Sequence, residues 1–92
     1  MPLVSFIITT YNLPSEYLEF CLKSILQLSL NPKEREIIIV DDGSALSPIH
    51  DLMAYQDDFI YLRQRNQGLS IARTTGMKIA SGRFLRFIAG DD

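Results

Sequence analysis

The stretch Glu36-Ile37-Ile38-Ile39-Val40-Asp41-Asp42-Gly43-Ser44 decides the fold. From Ile37 to Val40 every residue is β-branched and no polar residue interrupts the run. A strand with one wet face alternates apolar and polar residues. An unbroken run marks a strand covered on both faces, as strands of parallel sheets are. Two acids, a glycine and a serine then stop the run, which is turn chemistry.

Working outward, the same unit recurs. Upstream, Leu3-Val4-Ser5-Phe6-Ile7-Ile8 is a second buried strand, and Thr9-Thr10-Tyr11-Asn12 reads as the loop after it. Between the two strands Leu18, Cys21, Leu22, Ile25, Leu26 and Ser29 recur at three- and four-residue spacing, which predicts an amphipathic helix over 15–29. Pro14 and Glu16 suit its first turn, and Asn31-Pro32 ends it. Downstream, Ser47-Pro48 reads as a helix cap followed by a first-turn proline. That helix is expected to turn Ile49, Leu52, Met53 and Tyr55 inward. Phe59-Ile60-Tyr61-Leu62 is a short strand, and 63–68 is a polar loop. A further helix is expected from Leu69 or Ser70 to Ser81, with Ala72, Gly76, Ile79 and Ala80 on one face and Gly82 as its C-terminal cap. Phe84 to Ala89 is the last strand, before Gly90-Asp91-Asp92.

The order is βαβαβαβ. Alternation with short connections and right-handed crossovers implies a Rossmann-like α/β fold, a three-layer αβα arrangement around a parallel sheet. The 92 residues are enough for one domain, and a hydrophobic fraction of 47% supplies its core. A net charge of -2, without a basic stripe, disfavours nucleic acid as a partner. The single cysteine, Cys21, lies on an apolar helix face and reads as a buried free thiol in a reducing compartment, so a cytoplasmic location is expected. The full protein could still be membrane-associated, although the apolar start of the chain falls short of the roughly 20 residues that a membrane span needs. An open edge on the last strand leaves room for self-association into a homo-oligomer.

Ligands of open parallel sheets bind beyond the carboxyl ends of the strands. That rule selects 9–12, 41–44, 63–68 and 90–92. Asp41-Asp42-Gly43-Ser44 could take hydrogen bonds from a ribose or base, although the same residues also make a plain turn and cap. Tyr11 offers a flat face, and Arg63, Arg65 and Arg73 are candidate phosphate contacts or ordinary surface charges. Gly68 before a helix start permits close backbone approach, and that helix N-terminus favours an anion. The paired acids Asp91 and Asp92 suit Mn2+ or Mg2+, which prefer oxygen ligands and share them with phosphates. The pair Asp57-Asp58 falls at the opposite ends of the strands and reads as a solvated turn. Neither Gly-x-Gly-x-x-Gly after the first strand nor a P-loop motif occurs, and one Cys with one His cannot build a thiolate–imidazole metal site.

Taken together, these segments resemble the start of family-2 glycosyltransferases of the GT-A fold. The resemblance is carried by 4–12, by Cys21-Leu22-Lys23-Ser24-Ile25-Leu26, by 36–44, by Asn66-Gln67-Gly68-Leu69-Ser70-Ile71-Ala72-Arg73 with Gly76, by 80–85 and by Gly90-Asp91-Asp92, in order and over nearly the whole chain. It implies that 1–92 are the N-terminal, nucleotide-sugar-binding portion of a transferase, ending after the metal-binding acids. The implied reaction is inverting transfer of a sugar from a nucleotide diphosphate, such as a UDP-sugar, to a glycan or other hydroxyl acceptor. Thr9 and Tyr11 would line the base pocket, Tyr11 by stacking. Asp42 would bind the base or ribose with Asp41 beside it, and Gly68 and Arg73 would border the nucleotide. Asp91 would lie near the ribose and sugar, and Asp92 with Asp91 would hold the Mn2+ or Mg2+. No catalytic base is implied within the chain, so the isolated portion is expected to be inactive. Many members carry Asp-Ser-Asp-Asp where this chain has Ala89-Gly90-Asp91-Asp92, so one acid is absent. The competing readings are a receiver-like signalling domain, which needs acids after the first strand, and a sugar nucleotidyltransferase, which needs a Gly-rich basic loop there.

Overall fold

The structure, a computed structural model, describes residues 2–89. Four strands, β1 (Val4–Thr10), β2 (Arg35–Asp41), β3 (Ile60–Arg63) and β4 (Phe84–Ala89), form one sheet in the order β3-β2-β1-β4. All three pairings are parallel. The helices are α1 (Ser15–Leu26), a 3-10 helix (Pro48–Tyr55) and α2 (Leu69–Ile79). The α/β class and the βαβαβαβ order expected from the apolar runs are what the chain adopts, with one crossover element in 3-10 form.

Period-2 geometry splits each apolar run between two cores. Phe6 and Ile8 of β1 and Ile37 and Ile39 of β2 meet Leu18, Cys21, Leu22 and Ile25 of α1, with Leu52 of the 3-10 helix. Ile7, Ile38 and Val40 point the other way and meet Ala72 of α2. Unbroken β-branched runs are therefore what a sheet with helices on both faces requires. Cys21 is buried, as its place on the helix predicts.

Several boundaries differ from expectation, each for a physical reason. Thr9 and Thr10, read as loop, are the last residues of β1 and pair with Val40 and Asp41 of β2. Both are buried, which is unusual for polar strand residues and matters below. The first helix stops at Leu26 with Gln27 as its cap, so Ser29 lies outside it and is exposed. The crossover after β2 winds with three residues per turn, aligning Ile49, Leu52 and Tyr55 and turning Met53 outward, where it is exposed. Ser47 caps that helix through the Ile49 N–H, as the Ser-Pro pair predicts. Gly82 does not cap α2, whose cap is Ala80 in an extended conformation. It is needed instead because a side chain there would collide with the Ser5 backbone of β1, only 2.6 Å from a built Cβ.

The covering is uneven. β4, at the sheet edge, leaves Phe84, Leu85 and Phe87 exposed, with Phe84 at 58%. Beside it an apolar groove of about 540 Å³ runs between α1 and β4. Among the described residues no helix is long and apolar enough to cross a membrane.

Candidate functional site

The carboxyl ends of β1, β2 and β4 meet the start of α2 around a pocket of about 300 Å³. Its lining includes Thr9, Tyr11, Asp42, Asn66, Gly68 and Ala89. Four of the residues singled out from sequence, Thr9, Tyr11, Asp42 and Gly68, are thus brought together. Asp41 and Arg73 are not part of the lining. Asp91 and Asp92 lie outside the described residues, and no three His, Cys, Asp or Glu side chains converge on a metal position among those that are described.

The two neighbouring acids have opposite surroundings. Asp41 ends β2 and is fully buried. Its Oδ1 accepts from the Ser44 N–H at 2.9 Å and the Ser44 hydroxyl at 2.6 Å. Its Oδ2 accepts from the Tyr61 hydroxyl at 2.6 Å and the Arg63 guanidinium at 3.2 Å. Arg63 also donates to the Ser44 carbonyl. Burial and the Asp41 carboxylate raise the Tyr61 phenol above its ordinary value. A carboxylate has about four acceptor positions, and here protein donors take them all. Asp41 therefore welds the turn after β2 to β3 and presents nothing to the pocket. Arg63, a candidate phosphate contact from sequence, is spent on the same weld.

Ser44 passes this order to the first loop. Its hydroxyl accepts from the Asn12 N–H at 2.8 Å, and the Asn12 side-chain oxygen accepts from the Ala45 N–H at 2.8 Å. Asn12 adopts φ 52°, a left-handed conformation that Asn tolerates better than most residues. Tyr11, immediately before it and 44% exposed, is thereby fixed on the pocket rim.

Asp42 faces the other way, toward the loop that precedes α2. Its Oδ1 accepts from Gln64 Nε2 at 2.8 Å and the Gln67 N–H at 2.9 Å. Its Oδ2 accepts from the Gly68 N–H at 2.9 Å and Asn66 Nδ2 at 3.0 Å. Burial pushes the Asp42 carboxyl up, but the hydrogen bonds from Gln64, Gln67 and Gly68 outweigh it and hold the group below its ordinary value. The anion favoured at the N-terminus of α2 is thus supplied by the protein itself. Gly43 and Gly68, with φ of 85° and 99°, allow the two turns. At Gly43 a side chain would also meet the Asn66 backbone nitrogen at 2.7 Å.

One polar atom in this site is left over. Thr9 is 2% exposed, yet among the described residues its Oγ1 has no hydrogen-bond partner. Leaving a buried hydroxyl unpaired costs about 1–3 kcal/mol. Thr9 lines the pocket, next to Tyr11 and Asp42. Sequence reading named Thr9 but could not show that its hydroxyl is unpaired, and it missed Gln64 and Asn66 as partners of Asp42. A Gln and an Asn in a polar loop look like surface until a carboxylate is seen between them.

The family model described as glycosyl transferase family 2 matches residues 5–92. The chain belongs to that family. A glycosyltransferase of Bacillus subtilis, EpsJ, described as uncharacterized, is 40% identical over 95 residues, covering 100% of this chain and 27% of the relative. The crystal structure of S. aureus TarS 1-349 superposes with a TM-score of 0.86 at 27% identity, over 98% of this chain and 28% of that one. The same S. aureus protein in complex with UDP-GlcNAc matches with a TM-score of 0.83 at 26% identity, over 97% of this chain and 26% of the other. The chain spans about a quarter of the length of these relatives. The GT-A-like parallel sheet expected from the resemblance is the fold observed.

Proposed function

We propose that this chain forms the nucleotide-sugar-binding portion of an inverting glycosyltransferase, with a UDP-sugar as donor and a hydroxyl group as acceptor. The observation that carries the reading is the pocket at the carboxyl ends of the strands, where Tyr11 forms the rim and Thr9, whose buried hydroxyl has no partner among the described residues, forms part of the wall. A polar ligand group can pair such an atom once the Thr9 side chain turns toward the pocket, and Tyr11 provides an aromatic edge or face for a planar base. Membership of the family and the UDP-GlcNAc complex of a relative support a nucleotide-sugar ligand. A receiver-like reading fits poorly, since β1 ends in Thr9 and Thr10 and all four acceptor positions of Asp41 and of Asp42 are filled.

Because Asp41 and Asp42 are saturated by protein donors, a divalent cation falls to Asp91 and Asp92, whose carboxylates have the oxygen chemistry that Mn2+ and Mg2+ prefer. Bound there, the ion would supply charge neutralisation for the departing diphosphate. The residues of the chain itself bind and orient the donor. The base that takes the acceptor proton is assigned to the full protein outside this chain.

Calorimetric titration of UDP, with and without Mn2+, tests the proposal. UDP is expected to bind, more tightly with Mn2+, and the Asp91→Ala/Asp92→Ala double variant is expected to lose the Mn2+ enhancement while retaining metal-free binding. Absence of UDP binding to the wild type would overturn the nucleotide reading. An undiminished Mn2+ effect in the double variant would overturn the metal assignment alone.

A further inference from the structure

We infer that Gln64, which lies outside the pocket and outside every motif in the sequence, is a positioning residue for nucleotide binding. The inference rests on the nucleotide reading of the pocket. Gln64 directly follows β3, and its backbone N–H donates to the Asp41 carbonyl at 2.9 Å, extending the β2–β3 ladder by one residue. Its side chain then bridges two elements. Nε2 donates to Asp42 Oδ1 at 2.8 Å, and Oε1 accepts from the Thr75 hydroxyl of α2 at 2.6 Å. The Thr75 hydroxyl also lies 3.0 Å from the Ile71 carbonyl, so its proton is shared between two acceptors.

The amide can sit only one way round. Asp42, an ionised carboxylate, accepts and cannot donate, so the amide nitrogen must face it. The amide oxygen then faces α2, where Thr75 supplies a donor. Turning the amide over would set two oxygens against each other at Asp42. Gln64 therefore fixes the Asp42 carboxylate relative to α2. Asp42 in turn fixes the backbone of Gln67 and Gly68 and the side chain of Asn66. Asn66 and Gly68 are pocket walls, and Gln64 is not. Through Asp42, which is itself part of the wall, Thr75 and Gln64 set the pocket from behind without lining it.

Amide hydrogen exchange and UDP calorimetry on three variants test this. In Gln64→Ala the Gln67 and Gly68 amides should exchange about tenfold faster, and UDP affinity should fall about five- to tenfold, the worth of one ordinary hydrogen bond. Gln64→Glu should lose more, because it sets a second carboxylate against Asp42. Thr75→Val should lose less, because Asp42 keeps all its donors. A merely structural role predicts a lower melting temperature with unchanged UDP affinity in the folded protein, and that result would overturn the inference. So would unchanged exchange at Gln67 and Gly68 in Gln64→Ala. If exchange quickens as expected but the wild type binds no UDP, the loop-ordering role stands and the nucleotide role of Gln64 falls with the reading of the pocket.

Discussion

At the amino ends of the strands, Glu36 of β2 accepts from the Ser5 hydroxyl at 2.7 Å, from the Ser81 N–H at 2.9 Å and from the Ser81 hydroxyl at 3.1 Å. Ser5 in turn accepts from the Gly82 N–H at 2.8 Å. At the carboxyl ends, Asp42 gathers a comparable set of N–H and amide donors from the loop before α2. Both clusters tie neighbouring strands to the segment that follows or precedes a helix. They differ in what remains. Around Glu36 the partners satisfy one another, and although a cleft of about 440 Å³ lined by Glu36 opens at this edge too, no buried side-chain polar atom there lacks a partner among the described residues. Around Asp42 the acid is satisfied, but among the described residues the hydroxyl of Thr9, which lines the same pocket, is not. The lesson is that a cluster of acids and hydroxyls at a strand end is not itself a binding site. The unpaired polar atom next to it is the sign of one.

The largest effect is expected where the carboxyl edge is locked most deeply. Asp41→Ala leaves Tyr61 and Ser44 without their acceptor and should cost about 3 kcal/mol in chemical denaturation. Arg63, with its side chain 43% exposed, can turn to water and limits the loss. Wild-type stability in Asp41→Ala would break the view that this acid holds the two turns together.

A smaller effect should come from acid titration of both edges. Burial pushes the Glu36 carboxyl up, but the Ser81 and Ser5 donors outweigh it and hold it below its ordinary value, as the loop donors do for Asp42. Each lowered value means that the unfolded chain binds more protons, so stability rises with pH across this range. The contribution of both groups should be complete above the ordinary carboxylate range and lost as pH falls through their lower folded values. Glu36→Gln should remove about 1–2 kcal/mol at neutral pH and flatten part of the acid loss. UDP affinity should be untouched, because Glu36 lies at the far edge. A fall in UDP affinity would blur the distinction between lock and site.

How much of this was legible beforehand varies with the kind of signal. The order of elements follows from β-branched runs and helical spacing, and β4 was bounded correctly from Phe84 to Ala89. The end of β1 was not legible. Thr9 and Thr10 look like loop because polar residues seldom occupy buried strand positions, and only the pairing with β2, joined at Thr9 by β4, shows why they do here. The crossover over 48–55 looks like an ordinary helix in the sequence, since a spacing of three and a spacing of three and four are alike over eight residues. Within the site, the meeting of Thr9, Tyr11, Asp42 and Gly68 followed from the strand-end rule. The division between Asp41 and Asp42 did not, because two adjacent acids in a turn carry no mark of which way each will face. The pair Asp91 and Asp92, the sharpest feature of the sequence, lies outside the described residues.

The Thr9 hydroxyl, unpaired among the described residues, is proposed to pair with the bound nucleotide. Thr9→Val keeps the shape of the side chain and removes only the unpaired group, so the free protein should be as stable as the wild type or slightly more so. Calorimetric titration of UDP into Thr9→Val, beside Glu36→Gln as the far-edge control, tests the claim most directly. Thr9→Val should bind UDP about tenfold more weakly, while Glu36→Gln should bind as the wild type does. Equal affinity in Thr9→Val and the wild type would contradict it.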